Sequence, residues 1–132
     1  MYKLDSDAAA VMDRLLAEMK DGYLKLDNNR AFMPLVVEHI GENPYGSLIS
    51  VAHYGKQNGD AMRDPDVVLL HSSANGGYFP VSYRNDYVPV FREAVRFTGP
   101  SQTKIRTRPR IQRDLADFVN RWMRAIQEQQ LS

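Results

Sequence analysis

The chain has 132 residues, 43% of them hydrophobic and 25% charged, a length and balance that suit one globular domain and exclude a disordered tract as its main body. It contains no cysteine, which excludes a disulfide framework, a thiolate zinc site and thiol catalysis. The net charge of +1 conceals an asymmetry, since residues 1–103 carry ten Lys and Arg against thirteen Asp and Glu, whereas residues 104–132 carry seven against three. Basic character is concentrated at the C-terminal end, where it suits phosphate, an acidic protein surface or plain solvation.

Met1 to Asp5 lack the apolar core of a secretion signal, and no apolar run nears the roughly 18 residues needed to span a bilayer. A soluble cytoplasmic protein with no membrane partner is expected. Asp5 or Ser6 is placed to cap a helix continuing through Lys20, because a side-chain oxygen there accepts from the free N–H groups of the first turn. Ala8, Val11, Met12, Leu15, Leu16 and Met19 recur at helical spacing and form its apolar stripe. Gly22 ends the helix, and Tyr23 to Leu26 alternate before the turn-like Asp27-Asn28-Asn29-Arg30.

Phe32 to Ile40 read as a first main strand and Ser47 to Tyr54 as a second, with the turn composition of Gly41 to Gly46 between them. Alternation puts Leu48, Ser50, Ala52 and Tyr54 on one face and Ile49, Val51 and His53 on the other, so both faces of the sheet are expected to be partly covered. Gln57 to Asp66 read as a connecting loop, with Asn58-Gly59-Asp60 as its turn and Pro65 ill suited to a central ladder. Val67 to Ser72 and Tyr78 to Tyr83 complete a meander across the turn at Ser73 to Gly77.

Asn85-Asp86 then suggest the cap of a short helix holding Tyr87, Val90, Phe91, Ala94 and Val95. After the break at Gly99-Pro100-Ser101, Pro109 suits the first position of a long helix whose apolar face is Ile111, Leu115, Phe118, Val119, Trp122 and Ile126. The expected architecture is one α+β domain over residues 1–132, an antiparallel sheet of about four strands flanked by an N-terminal helix and a long C-terminal helix.

Candidate chemistry gathers in the central loop. Asn58, Asp60, Asp64 and Asp66 offer oxygen ligands, but the alternate spacing and closing Glu of a calcium loop are missing, and such turns usually satisfy their own backbone. His39, His53 and His71 are 14 and 18 residues apart on separate strands, without the local signature of a zinc site, and a strand histidine bonded within the fold is the plainer reading. His53 with Asp60 or Asp64 could serve acid–base chemistry, yet no nucleophile or oxyanion donor accompanies it. Ser72 and Ser73 lack a nucleophile elbow, and Gly76-Gly77 lack the frame of a phosphate loop. No cofactor and no metal are expected.

Lys104, Arg106, Arg108 and Arg110 occupy alternate positions with no acid among them; an extended chain would project all four to one side, continuous with Arg113, Arg121 and Arg124 on the last helix. Against a nucleic-acid role, Asp114 and Asp117 are spaced to pair with these arginines on a solvated helix. Tyr45, Tyr54, Tyr78, Phe79, Tyr83 and Tyr87 make the sheet aromatic, which suits its packing and, near loop ends, a binding surface.

The run Ser50-Val51-Ala52-His53-Tyr54-Gly55-Lys56-Gln57-Asn58-Gly59-Asp60-Ala61-Met62-Arg63-Asp64-Pro65-Asp66, supported by Phe79-Pro80-Val81-Ser82-Tyr83-Arg84-Asn85-Asp86, resembles an uncharacterised domain family of accessory proteins of plasmids, integrative elements and phages. The resemblance covers residues 45–95. Family members often carry two adjacent aromatics and an acid where this chain has Tyr54-Gly55-Lys56, so a surface there differs in shape and sign. What the resemblance implies is context: mobile elements carry small proteins that block host defences such as CRISPR or restriction systems. The expected function is therefore a non-enzymatic inhibitor acting by contact with a host or element-encoded protein complex through Tyr54, Asn58, Asp60, Arg63, Asp64 and Asp66. The alternatives are a nucleic-acid-binding accessory protein using Lys104, Arg106, Arg108, Arg110, Arg113, Arg121 and Arg124, and a small metal-dependent or His/Asp hydrolase.

Overall fold

The computed structural model describes residues 1–131. Helix α1 spans Ser6–Glu18, and the Asp5 carboxylate caps it by accepting from the Ala8 N–H at 2.9 Å. Its stripe of Ala8, Val11, Met12 and Leu15 is buried, as the spacing requires, with Leu16 and Met19 partly buried against the same core. Strands β1 (Tyr23–Leu26), β2 (Leu35–Asn43), β3 (Gly46–Gln57), β4 (Asp60–Ser72), β5 (Tyr78–Asn85) and β6 (Val90–Glu93) follow in the chain and lie in that same order in one antiparallel sheet. A separate ribbon pairs β7 (Val95–Thr98) with β8 (Lys104–Thr107), and helix α2 (Pro109–Gln130) closes the fold.

The α+β class and the flanking helices agree with the reading of the sequence; the count of six strands plus two exceeds the expected four, the additions being β1, β6, β7 and β8, and two segments depart from that reading for physical reasons. The first, Gln57 to Asp66, is not a loop. The pairing of β3 with β4 continues outward through Lys56↔Ala61 to Gln57↔Asp60, and Asn58 and Gly59 alone make the turn with φ of +52° and +85°. Two consecutive positive φ values are what a tight hairpin with the native strand twist needs, and Asn-Gly supplies them at low cost. The segment reads as a loop because this half of the hairpin extends beyond the core and its side chains are polar. Pro65 is accommodated where the register shifts: Ala52 faces Asp66 and Tyr54 faces Arg63, so Asp64 and Pro65 together oppose His53. A bulge of this kind leaves a residue without a ladder bond, which suits a side chain with no N–H to offer.

The second, Asn85 to Val95, forms no helix. The Asn85 side-chain oxygen accepts from the N–H groups of Tyr87 (2.9 Å) and Val88 (3.3 Å), a bonding pattern a helix cap shares with a turn. Here it makes a turn, after which Val90 pairs back with Asn85 and Phe91 with Arg84. Val88, Pro89 and Val90 favour extended backbone, so propensity and pairing agree.

One sheet face carries the main core. Leu35, Val37, Ile49, Val51, Val67 and Leu69 meet Met12 and Leu15 of α1 and Val119, Met123 and Ile126 of α2. Side chains of opposite parity, among them Leu48, Val68 and Leu70, pack with Phe79, Val81, Val95, Phe97 and Ile105 in a second cluster under the ribbon. The ribbon covers only part of that second face. The part it leaves open positions the site.

Candidate functional site

Register places Val36, Ala52, Asp66, Arg84 and Phe91 in one row across β2 to β6, with Glu38, Ser50, Val68, Ser82 and Glu93 in the next. Alternation gives these rows the face away from the helices. Apolar side chains prevail on the helix-covered face, whereas here Glu38, Ser50, Tyr54, Asp66 and Arg63 are half-buried. The Ser50 hydroxyl donates to the Asp66 carboxylate at 2.6 Å and fixes its direction. Arg63 grips Asp86 with a two-pronged contact, Nε at 2.8 Å and Nη2 at 3.1 Å, while its backbone N–H reaches the same carboxylate at 2.9 Å. The Asp86 N–H donates back to the Arg63 carbonyl at 2.9 Å, so the start of β4 is stitched to the end of β5. Beside this pair the Arg84 guanidinium lies 4.7 Å from the centre of the Phe91 ring.

The electrostatics follow from this packing. The Arg63 guanidinium holds the Asp86 carboxyl below the usual carboxylate range, and Asp86 in turn raises the arginine. Burial pushes the Tyr54 hydroxyl up, and the charges of Asp66 and Glu38 push in the same direction while Arg63 opposes them. Tyr54 is thus a neutral donor facing carboxylates. The face can present a phenol, an oriented carboxylate and a locked ion pair on a rigid sheet.

The structure divides the residues expected to form one acidic loop. Tyr54, Arg63 and Asp66 meet on the open face, joined by Asp86. Asn58 and Asp60 lie exposed at the β3–β4 hairpin tip, and Asp64 accepts from the Asn85 side-chain amide at 2.6 Å. Glu38, Ser50, Arg84 and Asp86 were missing from the expected set. Ser50 shares its parity with Tyr54, a signal present in the sequence; Asp86 was masked by its reading as a helix cap.

The histidines are held in three different settings. His39 lies 3.5 Å from Glu42 near the open end of β2, and His71 stacks on Tyr78 with ring centres 4.3 Å apart. The buried Tyr78 hydroxyl donates to Asp13 at 2.7 Å, and burial followed by that bond raises its pKa. His53 is buried beneath α2, where its Nδ1 accepts from the Trp122 indole N–H at 3.2 Å and its Nε2 has no partner. Burial lowers the His53 pKa, partly opposed by the nearby Asp64 charge.

The basic residues also separate. Lys104 and Arg106 stand exposed on β8, which is extended as their alternation suggested, and Arg96 of β7 lies directly opposite Arg106. Glu93, Arg96, Arg106 and Arg108 border a cavity of about 250 Å³ at the end of the ribbon, with Arg96 paired to Glu93 at 2.8 Å. Arg110, Arg113, Arg121 and Arg124 are exposed along α2, and Arg124 pairs with Asp5 at 3.0 Å. Arg121 and Arg124 sit about 20 Å along the helix axis from its start at a rise of 1.5 Å per residue, so the cations form two groups.

No helix of the described residues is long and apolar enough to cross a membrane. No curated protein and no solved structure shows significant similarity to the chain. The model of a family described as a domain of unknown function, DUF6908, matches residues 8–132. That span takes in every strand and both helices apart from the first two residues of α1, and the chain belongs to this family.

Proposed function

We propose that the protein is a non-enzymatic binding protein that occupies a surface of a larger protein complex through the open sheet face around Tyr54, Asp66 and the Arg63–Asp86 pair. The observation that carries this reading is the half-exposed polar cluster on paired strands, oriented by Ser50 and by the Arg63–Asp86 lock. Such groups lose little freedom when a partner docks, so their contacts are not spent on ordering. The hydrolase alternative is disfavoured because His53, its central residue, lies under α2 with one nitrogen engaged by Trp122. That the partner belongs to a host defence system rests on the family resemblance alone. The test is capture from host lysate with the wild type and with Asp66→Lys. A partner retained by the wild type and lost from the stably folded variant supports the reading, whereas equal capture by both removes this face from it.

A second reading has its own observation. The β7–β8 ribbon brings Arg96 and Arg106 side by side with Lys104 on the same strand, a local concentration of positive charge that suits phosphates. Binding to duplex or single-stranded nucleic acid that weakens steeply with salt, and is lost in Lys104→Glu/Arg106→Glu, would support it. No gel shift at low salt would rule it out.

A further inference from the structure

A groove of about 560 Å³ opens beside Tyr54, between β1, the outer ends of β2 to β4, and the segment 27–34 that joins β1 to β2. Its wall combines three cations, Lys25, Arg30 and Lys56, with three aromatic rings, Tyr23, Phe32 and Tyr54, and no carboxylate lines it. The three cations are exposed and none of them forms an ion pair with a described residue. Tyr23 and Phe32 are 46% and 41% exposed, so part of each ring is open to solvent. Glu38 lies directly opposite Tyr23 in the register, so an anion in the groove is best placed on the Lys25, Arg30 and Lys56 side.

The wall is built rather than loose. Gln130, at the last turn of α2 and 3% exposed, accepts from the Asn28 backbone N–H at 3.0 Å and donates to the Met33 carbonyl at 3.4 Å. Its own carbonyl accepts from the Asn28 side chain at 3.1 Å, and the Phe32 N–H closes a turn onto the Asn29 carbonyl at 3.1 Å. The segment bearing Arg30 and Phe32 is thereby clamped at both ends by the far end of the chain. Binding there has little ordering cost to overcome.

We infer that this groove binds one nucleotide unit, its base stacked on the exposed ring of Phe32 or Tyr23 and its phosphate met by Lys25, Arg30 or Lys56. A bare anion would use the cations and leave the rings idle, and an apolar ligand would do the reverse. A nucleotide uses both, and the groove falls within the range of roughly 300 to 1,000 Å³ typical of small-ligand sites. Stacking on an aromatic side chain combined with a positive wall is also how single strands are held without sequence preference. The shared chemistry therefore covers a free nucleotide and a nucleotide within a single strand.

The test is an amide NMR titration of the whole chain with AMP, UMP, adenosine, inorganic phosphate and a thymidine octamer. The monophosphates are expected to move the amides of residues 30–33 and 54–56, with adenosine, which lacks the charge-assisted contact, and inorganic phosphate, which lacks the base stack, each at least about tenfold weaker. Phe32→Ala is expected to weaken binding about fivefold to a hundredfold, in line with the cost of losing one base stack. Lys56→Glu, which reverses one of the three groove charges, should weaken the monophosphates at least about tenfold, and both altered side chains are exposed enough to leave the fold intact. An octamer that binds more tightly than UMP identifies a single strand as the source, and one that does not identifies the free nucleotide. The inference is overturned if millimolar monophosphate moves no groove amide, if inorganic phosphate does as well as AMP, or if the shifts fall on the ribbon around Lys104 and Arg106.

Discussion

Among single residues, His53 has the sharpest consequence. An imidazole Nδ1 that accepts from the Trp122 N–H must be unprotonated, so the neutral ring carries its proton on the unpartnered Nε2. Protonating Nδ1 would remove the acceptor and place a charge under α2, and burial accordingly holds the folded pKa below the ordinary 6.5. The unfolded chain then binds more protons than the folded one in the interval between the two values. Stability is full above about pH 6.5 and is lost progressively as the pH falls toward the folded pKa. Urea unfolding followed by the fluorescence of Trp122, the only tryptophan, should show this fall between neutral and mildly acid pH. In His53→Phe the slope over that interval should largely disappear. An unchanged slope would assign the acid sensitivity to other groups. Nothing in the sequence pointed to Trp122 as the partner, because the two residues lie 69 positions apart and meet only when α2 packs on β3.

At the scale of elements, the turn at Asn85 decides how the second half of the sheet is made. Its side chain accepts from Tyr87 and Val88 and donates to Asp64, joining the β5–β6 turn to the bulged strand β4. Asn85→Ala removes all three bonds and leaves the half-buried Asp64 carboxylate without that donor. The expected loss is about 1–3 kcal/mol of stability, read as a lower urea midpoint with an unchanged slope. No change would mean that β6 is held by its ladder alone.

The same element shows where sequence legibility ended. The helix stripes, a cap at Asp5 or Ser6, the order of β2 to β5 and the two-sided sheet were all legible, because each depends on local periodicity or on the chemistry of short turns and caps. Asn85 was legible as a residue that ties up backbone N–H groups, but whether such a bond starts a helix or a turn depends on the strand it returns to. The outer β3–β4 hairpin was hidden for a related reason: ladder bonds persist without apolar side chains, and periodicity registers only the apolar half. The candidate site suffered accordingly, with Tyr54, Arg63 and Asp66 legible as a group and Asp86 visible only once β5 lay beside β4.

Across the whole molecule, the buried hydrophobic side chains among the described residues form two clusters, and α2 belongs to both. Its first turns give Ile111 and Leu115 to the cluster beneath the ribbon, and its later turns give Val119, Trp122, Met123 and Ile126 to the main core. Gln112, fully buried on the same helix, accepts from the Tyr2 N–H at 2.7 Å and donates to the Pro80 carbonyl at 3.1 Å, binding the N-terminal segment and β5 to one point. A rigid helix shared in this way gives neither cluster an independent boundary, so the chain should unfold in a single transition. Leu115→Ala and Met123→Ala each leave a cavity in one cluster, and each is expected to cost about 2–5 kcal/mol. Coupling through α2 predicts that both variants lower the urea midpoint equally by far-ultraviolet circular dichroism, which follows the helices and strands together, and by the fluorescence of Trp122, which lies in the main core. If the ribbon cluster were a separate unit, Leu115→Ala would lower the circular dichroism midpoint and leave the Trp122 midpoint in place. That separation would also bear on function, since it would let the basic ribbon move independently of the sheet face that carries Tyr54 and Asp66, whereas a single transition fixes the two surfaces to one frame.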